Sequence, residues 1–142
     1  LRDQQRLRDW AAPRMGVERL ADDMVVMGIL NGDVVVAAVG FNAFYDGAAS
    51  LHVASDGGRR WLTKRTLRAI FGYAFGYRGL RRLNLIVAAS NKAPQILALK
   101  CGGVPEGYLR RAAPDGSDAV IYGILHDECP WAPARTKESD NG

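Results

Sequence analysis

The segment from Met24 to Tyr45, MVVMGILNGDVVVAAVGFNAFY, constrains this chain most. Two runs rich in β-branched residues flank Asn31-Gly32. That dipeptide accepts the positive φ angles of a tight turn whose twist matches the flanking strands. The pattern predicts strands over 23–30 and 33–43. A second turn at Tyr45-Asp46-Gly47 sends the chain into AASLHVAS, a third strand over 48–55. Three antiparallel strands in succession make a meander.

The texture then changes. SDGGRR is a turn with two glycines and two arginines, and WLTKRTLRAIFGYAFGYRG reads as a helix. Leu67, Ile70, Phe71 and Ala74 line one face, with Arg65 and Arg68 pointing away. Gly72 and Gly76 each weaken that helix by about 1 kcal/mol relative to Ala, so close packing against a neighbour is expected there. Gly79 stops it. LNLIVAAS, at 83–90, is apolar on both faces and reads as a central strand covered on both sides. Asn91 caps a short helix over 93–101, with Pro94 in its first turn and Gly102-Gly103 at its end. Residues 104–112 and 118–126 form a hairpin around Pro114-Asp115-Gly116-Ser117. Ahead of the meander, Leu7, Trp10 and Ala11 give residues 2–14 a helical stripe, closed by Pro13 and Gly16. The simple packing solution is one mixed sheet with helices on its faces. The strand–helix–strand unit over 48–90 is a parallel, right-handed crossover.

With 142 residues, 24% charged and 48% hydrophobic, the chain holds one domain, placed at 1–131, followed by a polar tail at 132–142. Its charge lies near the globular average, which argues against wholesale disorder. No apolar run reaches the length of a membrane-spanning helix. The charged start LRDQQRLRDW is no secretory signal, and with Leu1 first the sequence is expected to begin after the true start. Cys101, Cys129, His52 and His126 form no metal pattern and no disulfide framework. A cytoplasmic, metal-free protein is expected. The basic surplus is biased: fifteen Arg and four Lys make up the 19 cations behind a formal charge of +4. Arg offers a planar fork suited to phosphates and carboxylates.

Much of that charge falls on the strand–turn–helix at 48–68. A helix start exposes unpaired N–H groups and the positive end of its dipole. A glycine turn lets the backbone approach a ligand. Arg59, Arg60, Lys64, Arg65 and Arg68 add charge to this anion site, which would suit a pyrophosphate. The glycine spacing is neither a Walker A nor a dinucleotide fingerprint, and a solvated basic turn is the competing reading. Arg2, Arg6, Arg8 and Arg135 are scattered and read as solvated. Asn91 should emerge on the same sheet edge as the Gly-Arg turn, where ligands bind at the carboxyl ends of strands. A simple N-cap explains it equally well.

These residues resemble the GNAT superfamily of acetyl-CoA-dependent N-acetyltransferases. The similarity covers roughly 20–131 and runs closest to the ribosomal-protein N-terminal acetyltransferase-like subgroup. NKAPQILALKCGGVPEGYLR resembles that subgroup's pattern of Asn, a short helix ending Lys-x-Gly, then Glu-Gly and Arg. Here these are Asn91, Lys100, Gly102, Glu106, Gly107 and Arg110. The resemblance implies an α/β (α+β) fold: a mixed, mostly antiparallel sheet with a central parallel pair that splays, and helices on both faces. It places acetyl-CoA in the V-shaped opening. The pantetheine arm would run along Leu51, His52 and Val53, the pyrophosphate would rest at Arg59, Arg60, Trp61, Leu62 and Thr63, and Asn91 would touch the pantetheine or a catalytic water. The sequence departs from the family pattern in three places. Gly57 and Gly58 replace the usual cofactor-loop glycines. Ala98 stands where many members carry a Tyr that protonates the leaving thiolate, and Gly103 replaces an aromatic residue. The first family strand is also missing, so a homodimer is an expected way to complete the sheet or site.

The implied reaction is direct attack of an amine on the thioester in a ternary complex. It needs a neutral amine, a donor for the developing oxyanion and a proton for the departing thiolate. A backbone N–H near Val53 suits the oxyanion. His52 is the candidate base, since imidazole titrates near neutrality, although a half-buried sheet histidine is the competing reading. Ser90 is the candidate proton donor. Asp56 and Glu106 are carboxylate candidates, with Asp56 better suited to shaping its turn, and Tyr108 is a candidate donor on the hairpin. Cys101 reads as core, Cys129 has no role, His126 is structural on the last strand, and Phe71, Tyr73, Phe75 and Tyr77 pack the core. The expected partners are acetyl-CoA and an amine on a protein N-terminus, a lysine or a small molecule, with no membrane partner. Two readings compete: a small basic nucleic-acid-binding protein, weakened by the lack of any nucleic-acid motif, and a CoA-binding GNAT fold without catalysis.

Overall fold

A computed structural model describes residues 4–134. The helix α1 (Gln4–Arg14) leads into the strands β1 (Val25–Asn31), β2 (Val34–Tyr45) and β3 (Ala48–Ser55). The helix α2 (Lys64–Phe71) continues as a π-helical turn over Gly72–Tyr77. Then come β4 (Arg82–Ala88), α3 (Lys92–Lys100), β5 (Val104–Leu109), β6 (Ala119–Leu125) and a 3-10 turn at His126–Glu128. The six strands form one sheet in the order β1-β2-β3-β4-β6-β5.

The meander forms as expected. Gly32 takes φ 63° between β1 and β2, while Asp46 and Gly47 take φ 43° and 91° between β2 and β3. Both central residues of that second turn are left-handed, the geometry of a tight hairpin. The β3–β4 pair is the parallel one. Its ladder holds at Ala48/Arg82, Ala49/Leu83 and Ser50/Asn84 and then ends. Both strands run on, to Ser55 and Ala88, so the sheet opens into a V. β4 then pairs along its whole length with β6, which makes β6 an interior strand although it is last in the chain.

The two faces are packed differently. Ile70 and Phe71 of α2 and Ala98 of α3 bury against Val39, Phe41, Leu51, Leu83 and Ile124. On the other face Leu7, Ala11 and Ala12 of α1 bury against Val26, Ala38 and Ala54. Each fully buried Leu or Phe contributes about 1.5–3 kcal/mol. Close approach on the α1 face rests on glycine: a Cβ at Gly28 would come 2.4 Å from Leu7 Cδ2, and one at Gly40 would come 2.5 Å from Met24 Sδ.

Several expectations change. α2 begins at Lys64 with Thr63 as N-cap, so residues 59–63 form a turn ahead of the helix, not its first turn. The helix does not run unbroken to Gly79, because the weak positions Gly72 and Gly76 fall in the widened π turn. That turn ends where Arg78 N–H donates to Tyr73 O at 2.8 Å. Gly72 has no close neighbour, whereas a Cβ at Gly76 would meet Pro133 at 3.2 Å. β4 alternates instead of being buried on both faces: Leu83, Leu85 and Val87 are buried, while Ile86 is 49% exposed because α1 covers only the β1–β3 half of its face. Cys129, for which the sequence assigns no role, is buried in the core, with Trp131 packed against the same cluster. His126 falls just past β6, where its ring stacks on Phe75 at 5.0 Å and its Nε2 pairs with Pro133 O at 2.7 Å. Of the aromatic stripe, Phe71 and Phe75 are buried and Tyr73 packs on Phe41, but Tyr77 is 83% exposed. Arg2, Arg135 and the tail beyond Ala134 lie outside the described residues.

Candidate active site

The V between β3 and β4 is a cleft of about 510 Å³. Leu51, His52 and Val53 form one wall, and Leu85, Ile86, Val87 and Ala88 the other. Because the two strands have parted, their facing backbone groups beyond Ser50 and Asn84 do not pair with each other. Buried backbone polar groups demand partners. An open edge of this kind is suited to an extended amide-bearing chain that adds to the sheet.

One end of the cleft is made by Gly57, Gly58 and Arg59 together with Asn91, Ala93 and Pro94. The glycine turn is tied down from within: Gly57 N–H donates to Ser55 Oγ at 3.1 Å and Gly58 N–H to Asp56 Oδ1 at 2.8 Å. Asp56 therefore shapes the turn. Gly57 takes φ 99° with open space where a Cβ would stand, so a ligand can approach this backbone. Trp61 turns its indole into the core and donates Nε1–H to Gly58 O at 3.1 Å, which pins the turn to α2. Thr63 Oγ1 caps α2 by accepting from Thr66 N–H at 3.1 Å. Arg60 and Thr63 line a second hollow that shares Gly58, Arg59 and Trp61 with the cleft. Lys64, Arg65 and Arg68 are exposed along α2.

The opposite end of the cleft lies on the α1 face. Arg14 and Met15, at the end of α1, and Pro114 from the β5–β6 loop line it together with Ile86 and His52. Gly16 permits the closure: it takes φ 77°, and a Cβ there would come 3.0 Å from Pro114 Cβ. The cleft thus passes between the strands from a basic glycine turn on one face to a mouth at Arg14, Met15 and Pro114 on the other.

His52 is half-buried and lines this cleft. Its Nε2 lies 2.8 Å from Asn42 Oδ1. An amide oxygen only accepts, so Nε2 carries the proton and Nδ1 keeps its lone pair. Among the described residues, Nδ1 has no hydrogen-bond partner. Burial pushes the His52 pKa below the ordinary histidine value, with the Asp23 carboxylate pulling part of the way back. The ring is therefore neutral at pH 7, the state a base requires. Asn42 owes its aim to an irregularity in β2: pairing with β3 shifts between Asn42 and Tyr45, and Ala43 takes φ 52°. Asp23 Oδ2 accepts Ala43 N–H at 3.0 Å at that bulge.

Other candidates sit apart from His52. Ser90 is exposed in the turn after β4, next to cleft-lining Asn91. Asn91 occupies the N-cap position but its side chain makes no capping bond. Instead Gln95 Nε2 donates to Ala89 O at 2.8 Å and holds that turn. Glu106 pairs with Arg82 across β6, Oε1 to Nη2 at 2.5 Å. Tyr108 donates its hydroxyl to Asp118 at 2.8 Å, a bond that raises the Tyr108 pKa. Cys101 is buried, which pushes its thiol up to about 12, far from a nucleophile's range. Ala98 is buried at the edge of a wholly apolar void of about 30 Å³ under the cleft. Among the described residues, no group of three His, Cys, Asp or Glu side chains is placed to hold a metal ion.

Sequence reading missed Asn42, Asp23, Arg14, Met15 and Pro114. The first two depend on a bulge and a long-range contact. The other three come together only where the turn after α1, at Gly16, meets the β5–β6 loop.

No family model matches the chain, and no curated protein matches it in sequence. Solved structures do match in fold. A chimera of spermidine N-acetyltransferase from Vibrio cholerae superposes with TM-score 0.64 at 18% identity, over 73% of this chain and 68% of that one. An acetyltransferase structure from T. thermophilus, titled putative, gives 0.63 at 24% identity, over 76% and 62%. Another, titled probable acetyltransferase, gives 0.65 at 19%, over 75% and 64%. The chain spans about two thirds of the length of the structures it matches. These likenesses establish the fold: a GNAT-type mixed sheet with one splayed parallel pair.

Proposed function

We propose that this protein transfers an acetyl group from acetyl-CoA to an amine by direct attack within a ternary complex. The observation that carries the reading is the parting of β3 and β4 after Ser50/Asn84, which opens a cleft with a neutral imidazole on its wall and an Arg-bearing glycine turn at its end. The unpaired edges at Leu51–Val53 fit the amides of a pantetheine arm, and the open backbone at Gly57 with Arg59 and Arg60 fits a pyrophosphate. Bound there, acetyl-CoA supplies an activated acyl group.

His52 Nδ1 takes the proton that the amine sheds as its nitrogen bonds to the acyl carbon. The C–S bond breaks, and the departing thiolate takes a proton from cleft water or from the Ser90 hydroxyl. The Val53 N–H lies on the wall where the oxyanion would form. The acceptor belongs to the broad class of protein N-terminus, lysine or small amine, and a ribosomal-protein N-terminus of the kind the sequence resembles is one member. β1 is an outer strand of the sheet, where a second copy would add, and a monomeric mass in solution counts against that arrangement.

The test is a melting curve with acetyl-CoA. A native-state ligand at one hundred times its dissociation constant stabilises by about 2.7 kcal/mol. No shift at saturation overturns the reading. A shift without transfer to any amine leaves a CoA-binding fold lacking catalysis, the state that Ala98 in place of a proton donor would favour.

A further inference from the structure

The mouth on the α1 face is lined by Arg14, Met15, Ile86 and Pro114. Among the described residues that line the cleft, the charged side chains are Arg14 and Arg59, and none is Asp or Glu. Arg59 belongs to the glycine-turn end and Arg14 to the acceptor end, where the Asp23 carboxylate acts on His52 from behind the bulge at Ala43 without lining the cleft. Its guanidinium is already placed. The carbon Cζ lies 3.9 Å from the centroid of the Trp10 ring, and Nη1 donates to Trp10 O at 2.8 Å. Stacking and one hydrogen bond fix the plane of the fork and leave its remaining N–H groups without a partner among the described residues. Such a fork presents paired donors that match a carboxylate. Around it the mouth is apolar, with Met15, Ile86 and Pro114.

A polycation meets the opposite conditions. It would place its second ammonium beside Arg14 with no cleft-lining carboxylate to receive it, and like charges at close range cost affinity. We infer that the acceptor is an amine carrying its own carboxylate, which Arg14 holds while the amino group reaches His52. This rests on the acetyl-transfer reading above. The same chemistry comes from a free acidic amino acid or from the first residue of a peptide beginning with Asp or Glu.

The experiment uses the whole chain with acetyl-CoA and four acceptors: free aspartate, a peptide beginning with Asp, the same peptide beginning with Asn, and spermidine. Acetylation is followed by mass, and acceptor binding is followed separately by calorimetry with CoA present. The expected result is a preference of at least tenfold in kcat/KM for the carboxylate-bearing acceptors. Aspartate against the peptides tells the two sources apart. Arg14→Ala should raise KM for those acceptors at least tenfold with kcat nearly unchanged, and Arg14→Lys should recover part of it. Circular dichroism and melting of the variants confirm folding. Equal use of the Asp and Asn peptides, better use of spermidine, or an unchanged KM in Arg14→Ala overturns the inference while leaving acetyl transfer intact. Absence of acetyl-CoA binding overturns both.

Discussion

His52 donates its Nε2 proton to Asn42 Oδ1 across the β2–β3 ladder, at 2.8 Å. The bond selects the tautomer whose free lone pair sits on Nδ1, and burial keeps that lone pair unprotonated at neutral pH. Three residues thereby divide the work. His52 would take the proton, Asn42 holds its ring, and Asp23 fixes the bulge at Ala43 beside Asn42.

Replacing the ring tests the first role. His52→Ala should lower kcat by roughly a hundredfold to ten-thousandfold, the range of a lost general base, with the acetyl-CoA melting shift retained. A loss of that shift as well would mean that His52 serves binding rather than proton transfer.

The pH profile tests the second role. Because the folded pKa of His52 is depressed, the ring protonates only below the ordinary value of about 6.5. The acid limb of kcat/KM should therefore lie below pH 6.5. The same depressed value means that the stability gained from the neutral ring is complete above pH 6.5 and falls as pH drops toward the folded value. Asn42→Asp adds a negative charge at Nε2, favours the imidazolium and should move the acid limb upward. Asn42→Leu leaves Nε2–H unpartnered and frees the tautomer, so kcat should fall about tenfold, the scale of one lost hydrogen bond. An acid limb identical in all three proteins would rule out His52 as the titrating base.

The phosphate end has its own test. Arg59→Ala with Arg60→Ala removes two cationic donors from the glycine turn and the hollow beside it. Hydrogen bonds to charged groups contribute about 1.5–3 kcal/mol each, and exposure lowers that figure. A rise of ten to a hundredfold in the acetyl-CoA dissociation constant is expected by calorimetry, steepened at low salt. A pantetheine analogue that lacks the pyrophosphate should lose the difference between wild type and variant, whereas dephospho-CoA, which keeps the pyrophosphate, should retain it. Ser90→Ala serves as a companion: unchanged kcat assigns the thiolate proton to water, and a loss assigns it to the hydroxyl.

Much of this was legible because it is local. Asn31-Gly32, the turn at Asp46-Gly47 and the alternation of β3 each encode their geometry within a few residues. The parting of β3 and β4 could be anticipated only through family resemblance, since nothing in LHVAS or LIVAA states that their ladder ends at Ser50 and Asn84. The anchoring role of Trp61 is not legible in the sequence for a related reason. Its neighbours Arg59 and Arg60 make the segment look like a solvated helix start, whereas the indole is a buried anchor whose N–H holds Gly58. The apolar run of β4 read as covered on both sides because periodicity cannot report that α1 stops short of Ile86. Arg14 carries no signal at all until α1 docks and Gly16 brings Pro114 to the same mouth of the cleft.

Ala98 asks whether the missing phenol can simply be restored. Ala98→Tyr adds seven heavy atoms at a buried position whose neighbouring void measures about 30 Å³, room for roughly one water-sized group. Overpacking of this kind costs about 1–3 kcal/mol. The variant should melt lower and gain no activity. A more active Ala98→Tyr protein would show that α3 yields and that a thiolate acid was the missing element.

The seat of α3 is tested by a glycine pair. Gly102 ends the helix at φ 84°, and a Cβ there would stand 2.2 Å from Glu128 O, a backbone atom that cannot step aside. Gly32 takes a similar φ of 63° in the first hairpin with nothing near a Cβ. Both Gly→Ala changes incur the left-handed penalty, roughly 1–2 kcal/mol, but only Gly102→Ala adds a clash that must push the 3-10 turn at His126–Glu128 off the end of α3. Gly32→Ala should lower Tm by a few degrees for a chain of this size. Gly102→Ala should lower it by clearly more and weaken acetyl-CoA binding, because α3 carries Pro94 and Leu97 into the cleft wall. Equal melting points for the two variants would show that the contact at Glu128 relaxes freely and that α3 is held by its apolar face alone.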